Sequence, residues 1–333
     1  MIHSFLSTLN ILYPVFIYMS AGKLLKKRNL LNNSMVDSLN RLLFLVLLPI
    51  KLFIEIIQSD FNNVFNTKLI FFAIISIIST MIISTFLITK ISNNRKNISV
   101  IVQSIYRSNY IMYGIAIATS MYPGKDLGII SILAAFIVPF FNLISVILFK
   151  IFNEKNVRIR IILKKIFSNN IILSGILGLV FVYFKISIPK HILSPFIVIG
   201  NCSTPIGIMC IGTMISFESL NKYKKELVIM SLGRLVITPL ILVPISIIFG
   251  FRNMELIALF ILFSSPIATS SSPMAYEMGG NGELAGVAVA VTSVVVAGTY
   301  SADQNYLEET QNHTYLCLLR WNDICQNGHY NET

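Results

Sequence analysis

Long apolar segments follow one another along almost the whole chain, and short polar connections separate them. A helix that crosses a bilayer needs about 20 mostly apolar residues. On this criterion the pattern predicts ten membrane-spanning helices, numbered here in chain order as spans 1 to 10. Their predicted bounds are 4–22, 38–57, 68–89, 98–121, 128–150, 168–184, 192–216, 227–250, 255–277 and 284–300. The predicted fold class is therefore an all-α polytopic membrane protein.

Lysine and arginine are distributed unevenly among the connections. Loops after odd-numbered spans hold 16 of them, counting those at span edges, whereas loops after even-numbered spans hold 5. Because loops rich in these residues stay in the cytoplasm, we expect the N-terminus outside. The first apolar stretch precedes its basic cluster at 23–28, which is the reverse of a cleaved signal peptide. We therefore expect a retained span 1 in a multi-pass protein of the plasma (cytoplasmic) membrane.

The composition excludes several other classes of protein. The 333 residues are 55% hydrophobic and 12% charged, with a mean hydropathy of +0.74, whereas soluble domains carry roughly 25% charged residues. A soluble enzyme, a disordered chain and a single-span receptor are thereby excluded. The net charge of +11 is explained by the basic cytoplasmic loops, so we expect membrane lipid and no nucleic acid as a partner.

Motifs of catalysis and metal binding are missing from the sequence. It contains no HExxH, GxxxxGK[ST], GxSxG or CxxC, and no serine–histidine or paired-aspartate arrangement is predicted at membrane depth. We therefore expect a protein that is not an enzyme and has no metal or cofactor. An intramembrane hydrolase is the least favoured function.

The ten spans divide five and five around a strongly basic loop. This division gives a first repeat at 1–150, a cytoplasmic linker at 151–167 and a second repeat at 168–300. Because five is odd, the second half would lie upside down relative to the first. Inverted repeats are typical of secondary transporters, whose substrate sites lie where interrupted helices meet near the midplane.

Helix-breaking and polar residues interrupt spans that match between the two halves. Span 2 carries Pro49 and span 7 carries Pro205, while span 4 turns polar at 107–109 and span 9 at 264–273. Backbone carbonyls freed by such breaks are tolerated at membrane depth only where protein or a water-filled cavity satisfies them. Each proline alone could mark an ordinary kink. Their occurrence in matching spans favours a binding site.

The motifs at these interruptions resemble those of the auxin efflux carrier family. The residues that carry the resemblance are the Leu-Pro-x-x-Leu-Phe pattern at 48–53, Arg107, Asn109 and Gly114 in span 4, and Pro266, Ala268, Ala275, the Glu-Leu-Ala run at 283–285 and Thr292. The resemblance covers about residues 5–299. Ala116 stands where the family has a proline, and the chain after about Tyr300 does not resemble the family's last helix.

The resemblance implies two inverted five-helix repeats in which spans 4 and 9 cross as broken helices. It also implies transport of a small organic anion such as an auxin-like acid or a dicarboxylate, in the efflux direction, with Asn109 contacting the substrate, and a homodimer. The substrate-binding residues that we expect are Asn109, Arg107, Gly114, Pro266, Ala268, Thr269 and Ser270. The residues expected to support the helix breaks are Pro49, Pro205 and Ser271.

Two other functions stay open at this point. One is a sodium-coupled organic-anion importer of the bile-acid carrier type, and the other is a membrane sensor that does not transport. The coupling ion, proton or sodium, also stays open. Since Glu55, Glu255 and Glu277 are all predicted near span ends, no carboxylate is an obvious proton carrier at the midplane.

Charged residues within the spans have alternative roles. Arg107 lies about nine residues into span 4, where it could offset substrate charge or extend to the cytoplasmic headgroups. Arg234 is expected to extend to the headgroups from span 8. Lys51 and Glu55 are four residues apart on span 2, so we expect them mainly to pair with each other.

The tail at 301–333 differs in kind from the rest of the chain. It holds five acidic residues against one basic residue, Arg320, and it follows a span that is short for the hydrocarbon. One interpretation is an external tail glycosylated at the sequons of Asn312 and Asn331. We favour the other interpretation, a frameshifted or replaced terminus.

Overall fold

The computed structural model describes residues 2–58, 66–110, 128–153 and 170–310, and these fold almost entirely into helices. The predicted all-α class is confirmed. The helices are α1 (Ile2–Lys27), α2 (Asn33–Leu42), α3 (Leu48–Ile57), α4 (Thr67–Ile91), α5 (Arg95–Tyr106), α6 (Gly128–Asn153), α7 (Asn170–Tyr183), α8 (Lys190–Asn201), α9 (Ser203–Met214), α10 (Phe217–Lys222), α11 (Lys224–Leu232), α12 (Thr238–Ile248), α13 (Asn253–Ser264), α14 (Ser271–Glu277) and α15 (Gly282–Thr310).

Several of these helices have the length and composition of membrane spans. Among the described residues, four helical segments are long and apolar enough to cross a bilayer: α4, α6, α8 continued by α9, and α11 continued by α12. Large apolar side chains lie exposed on the outside of the molecule, among them Phe71 and Leu240, whose exposed fractions are 63% and 70%. Water would disfavour so extensive an apolar surface, whereas lipid accommodates it. The polytopic membrane class is therefore confirmed.

Two of the long helices contain a π turn. Leu43–Leu47 joins α2 to α3, and Gly233–Ile237 joins α11 to α12. Each π turn comes just before a proline, Pro49 or Pro239, in the first turn of the next segment. A proline within an α-helix lacks an N–H group and clashes with the carbonyl four residues earlier. The wider turn accommodates it, so spans 2 and 8 continue as single helices.

The helices pack in two groups. The scaffold group contains α1 to α3 and α7 to α9, in which α1 packs against α9 and α3 packs against α7 and α8. The crossing group contains α4 to α6 and α11 to α15. The contact of span 1 with span 7 is matched by that of span 6 with span 2, as two repeats would give. The repeat arrangement itself stays a prediction, and most of the linker at 151–167 lies outside the described residues.

The interruptions of spans 4 and 9 meet inside the crossing group. The α5 helix ends at Tyr106 and α13 at Ser264, and each is followed by extended backbone. Ser108 and Ile267 form an isolated antiparallel bridge, and the Asn109 N–H donates to the Pro266 carbonyl at 2.8 Å. Both predicted interruptions are therefore present. The second half of span 4, from residue 111, lies outside the described residues.

Spans 7 and 10 differ in how well their predicted bounds agree with the structure. Span 7 agrees with its predicted bounds within two residues, as Lys190–Met214. It contains a turn at Cys202, so Pro205 lies in the first turn of the α9 segment. The α15 helix continues to Thr310, beyond the predicted end of span 10 at residue 300. Polarity marked that end in the sequence, but the backbone hydrogen bonds of a helix do not require apolar side chains. Residues 311–333 lie outside the described part of the chain.

Candidate functional site

A cavity of about 200 Å³ lies between the crossing of the two interruptions and the scaffold group. The π turn before α3, together with α3 and α9, forms the scaffold side of its wall, and α6 and the two interruptions form the other side. The polar residues that line it are Lys51, Glu55, Arg107, Ser108, Asn109, Tyr110, Asn142, Ser203, Thr204, Thr269 and Ser270. We call this space the central cavity.

The structure brings most of the predicted substrate-binding residues together in this wall. Those lining the cavity are Arg107, Asn109, Ala268, Thr269 and Ser270. Pro266 does not line it but accepts the Asn109 N–H with its carbonyl. Gly114 lies outside the described residues. Ser271 is buried at the start of α14 and is not part of the wall. Binding of substrate by these residues stays a prediction.

Arg107 turns inward and does not reach the headgroups. Its side chain is 4% exposed, and its guanidinium donates to Asn142 Oδ1 at 2.6 Å, Ser270 Oγ at 2.8 Å and Ser145 Oγ at 3.2 Å. A further contact joins it to Met274 Sδ at 3.0 Å. All four partners are neutral, and no carboxylate pairs with Arg107 in the part of the chain that the structure describes. A buried cation whose partners are all neutral favours binding of an anion beside it.

Three buried hydroxyl groups also face this space. Ser108, Tyr110 and Ser203 line the cavity with exposed fractions of 4%, 1% and 3%. None of the three hydroxyls has a hydrogen-bond partner within the described ranges. Since buried polar groups are nearly always satisfied by protein, water or ligand, these hydroxyls are available to a bound molecule.

A second buried arginine, Arg234, forms hydrogen bonds with the two helix ends at the crossing. Its side chain is 1% exposed, so the expectation that it extends to the headgroups is wrong. Its guanidinium donates to the carbonyls of Ile105 and Tyr106 at the end of α5, at 3.1 and 3.3 Å. It also donates to the carbonyls of Ser265, at 2.8 Å, and Leu262 at the end of α13.

The position of Arg234 has a clear electrostatic reason. The last carbonyls of a helix lack partners and carry partial negative charge. Here two helix ends converge inside the molecule, and one guanidinium supplies donors and positive charge to both. An arginine within an otherwise apolar span was the sequence signal for such a role, because burying it is expensive. The carbonyls that it contacts could not be predicted from the sequence.

The extended backbone of span 9 is satisfied from a neighbouring helix as well. The Ile267 N–H donates to Thr292 Oγ1 at 3.3 Å, and that hydroxyl donates in turn to the Ala288 carbonyl at 2.8 Å. Thr292 is fully buried on α15. Hydrogen-bond partners on several elements therefore stabilise the interruption.

The sequence was compared with known proteins. The sequence model of a family described as membrane transport protein matches residues 8–301, which is most of the chain. The chain belongs to this family. The resemblance to the auxin efflux carriers is thereby confirmed, and the protein is an integral membrane transporter. A comparison with curated proteins found no match.

Lys51 and Glu55 also line the central cavity of the transporter. Their predicted pairing is present but loose, since Lys51 Nζ lies 3.8 Å from Glu55 Oε1. Lys51 instead donates to Thr204 Oγ1 at 2.5 Å, across to the scaffold helix α9. Glu55 lies near the end of α3, which ends at Ile57, as the sequence predicts. The sequence could not show that the cavity extends along α3 as far as this residue.

A second cavity of the transporter, about 450 Å³, lies at the end of the helices predicted to face the cytoplasm. We call it the end cavity. One apolar cluster contributes to both cavities: Leu43 lines the central cavity, and Val36 and Met214 line the end cavity. Leu31, Leu47 and Cys210 complete this cluster. The cluster therefore forms an apolar layer between the two spaces.

Glu283 anchors the rim of the end cavity just before span 10. Its carboxylate accepts hydrogen bonds from Ser219 Oγ at 2.7 Å and from Lys222 Nζ and Tyr223 Oη at 2.9 Å each. Partial burial acts to raise the pKa of Glu283, but the hydrogen bonds from Lys222, Ser219 and Tyr223 outweigh it and hold that pKa below its ordinary value. The carboxylate thus ties α15 to the α10 region.

Proposed function

We propose that this transporter carries a small organic anion, such as a carboxylate, by alternating access, in the efflux direction implied by the family resemblance. The central cavity would be its substrate site. The observation that carries the proposal is Arg107, a cavity-lining guanidinium that is buried among neutral partners only. A carboxylate would supply the missing countercharge and accept the charge-assisted hydrogen bonds that guanidinium groups favour.

Other groups in the wall support an anionic substrate. The hydroxyls of Ser108, Tyr110 and Ser203 are unpaired within the described residues and can donate to carboxylate oxygens. The side-chain amide of Asn109, a group that can donate hydrogen bonds, lies in the same wall. Drug-sized ligands occupy pockets of roughly 300–1,000 Å³, so a cavity of about 200 Å³ favours a small acid.

The packing supports movement of one group against the other. A Cβ atom at Gly22 would overlap the Met209 carbonyl, and one at Gly212 would overlap the Met19 carbonyl. The α1 and α9 helices therefore touch backbone to backbone and would move as one body. The crossing is held by its own hydrogen bonds to Arg234 and Thr292. The substrate would be carried between these two rigid parts, with the apolar layer closing the path to the end cavity.

The test is uptake into proteoliposomes of radiolabelled malate, benzoate and indole-3-acetate. We expect the parent protein to accumulate at least one of them and Arg107→Gln to lose uptake. Arg41→Gln is the matched control, because Arg41 is exposed on α2 and should leave uptake unchanged. Equal uptake by Arg107→Gln and the parent would place the site elsewhere. Binding by the parent without accumulation would favour the sensor. Dependence of uptake on external sodium would favour the sodium-coupled importer.

A further inference from the structure

The central cavity contains a carboxylate as well as two cations. Among the described residues that line it, Lys51 and Arg107 are basic and Glu55 is acidic. The side chains of Lys51 and Glu55 are 27% and 25% exposed, so both can meet water or ligand. A carboxylate substrate entering this space would be attracted by the two cations and repelled by the ionised Glu55.

Lys51 has a partner of its own besides Glu55. Lys51 donates to Thr204 at 2.5 Å, whereas its distance from Glu55 is 3.8 Å. Within a helix, a lysine four residues before a glutamate is the weaker of the two orders of such a pair. Lys51 therefore keeps a partner when Glu55 changes its charge. An incoming carboxylate can take the place of Glu55 beside Lys51.

The neighbouring helices bring few other titratable groups to this position. Arg107 and Tyr110 face the cavity from the first interruption, and the lining residues from α6 and α9 are uncharged. The α7 and α8 helices, which pack against α3, carry their titratable groups at their exposed outer ends: Tyr183, Lys190 and His191. Within the described residues, Glu55 is thus the acid that sets the charge of the cavity.

We propose that Glu55 is a proton-binding site of the transport cycle, which takes up a proton when a carboxylate occupies the central cavity and releases it when the cavity empties. This inference rests on the proposed function. The proton comes from water and binds a carboxylate oxygen of Glu55, so no other reactant is needed. Because binding couplings are reciprocal, the anion favours protonation and protonation favours the anion by the same factor. Anion and proton would then cross the membrane together.

The experiment measures anion binding and proton uptake on the purified full-length protein. Malate, benzoate and indole-3-acetate are titrated calorimetrically between about pH 5 and pH 8, in buffers of different ionisation enthalpy. We expect the parent to take up close to one proton per bound anion at the upper end of this range. Its affinity there should fall about tenfold per pH unit. We expect Glu55→Gln to bind the same anion without proton uptake and with an affinity that does not depend on pH.

Two control variants separate this site from other titrating groups. Glu255, at the start of α13, accepts a hydrogen bond from Asn66 and is not part of the cavity wall. Glu255→Gln should therefore keep the proton uptake of the parent. His191→Gln should also keep it. Glu55→Asp retains a titrating acid and should take up a proton even if Glu55→Gln proves too unstable to study.

The possible results distinguish the two proposals. Equal proton uptake by the parent and Glu55→Gln, or binding by folded Glu55→Asp without uptake, would overturn the proton site and leave the anion carrier intact. The same holds if uptake disappears in His191→Gln. Absence of binding by the parent across the whole pH range would overturn the proposed function, and this inference with it.

Discussion

Replacing Arg234 by methionine should destabilise the crossing strongly. The substitution keeps an unbranched apolar chain but removes the guanidinium donors to the carbonyls of Ile105, Tyr106, Leu262 and Ser265. Each buried acceptor left without a partner costs about 1–3 kcal/mol. Local relaxation and entry of water reduce the simple sum, so we expect a loss of about 3–5 kcal/mol. Net stabilities of folded domains are only about 5–15 kcal/mol.

Thermal unfolding in detergent, followed by fluorescence-detected size exclusion, measures this loss. For a protein of this size we expect the melting temperature to fall on the order of 10 °C. Arg234→Lys should lie between parent and Arg234→Met, because an ammonium group has three donors and lacks the planar fork of arginine. Arg41→Met is the control at an exposed site. A melting temperature for Arg234→Met within about 2 °C of the parent would refute the role assigned to this guanidinium.

Three further predictions concern other contacts. Gly212→Val should lower the melting temperature by several degrees, since its Cβ would overlap a main-chain carbonyl of α1. Gly175→Ala meets only ordinary contacts and should change the melting temperature little. Equal melting temperatures of the two variants would contradict backbone contact between α1 and α9. Met214→Ala should thin the apolar layer, so that a maleimide added from the side of the end cavity labels Cys210 several-fold faster, as measured by peptide mass spectrometry. An unchanged labelling rate would argue against the layer. Glu283→Gln should have a lower melting temperature than the parent at neutral pH. Because the folded pKa of Glu283 lies below its ordinary value, this difference should persist down to about pH 4 and vanish only at lower pH. A difference in melting temperature that does not change with pH would exclude the ionised carboxylate as its cause.

The interruptions of spans 4 and 9 could be predicted because their causes are local. Proline, glycine and clustered hydroxyl residues weaken a helix at the place where they occur in the chain. Local composition pointed to the segment from Ala268 to Ser270, and the family resemblance pointed to Asn109. The fold places these residues in one cavity wall. Apolar segments could likewise be located from hydropathy alone, although the last described helix continues past the predicted end of span 10.

Features that depend on tertiary contact could not be predicted in this way. The inward position of Arg234 follows from two helix ends that approach it from distant parts of the chain. Asn142 and Ser145, which bind Arg107, are isolated polar residues within the apolar run of α6. Their spacing of three residues places them on one helix face, and that was the available signal. The place of Glu55 in the cavity wall could not be predicted, because counting along a span does not reveal the depth of a cavity.

Both buried arginines belong to the crossing group, whereas Lys51 and Glu55 belong to the scaffold group. Moving one elementary charge through the full membrane potential changes its energy by about 2.3 kcal/mol per 100 mV. If the crossing group shifts along the membrane normal, Arg107 and Arg234 travel through that field together. A negative interior would then draw the empty carrier towards its inward position, and a bound anion would cancel part of this pull. The membrane voltage would therefore act most strongly on the return of the unloaded protein.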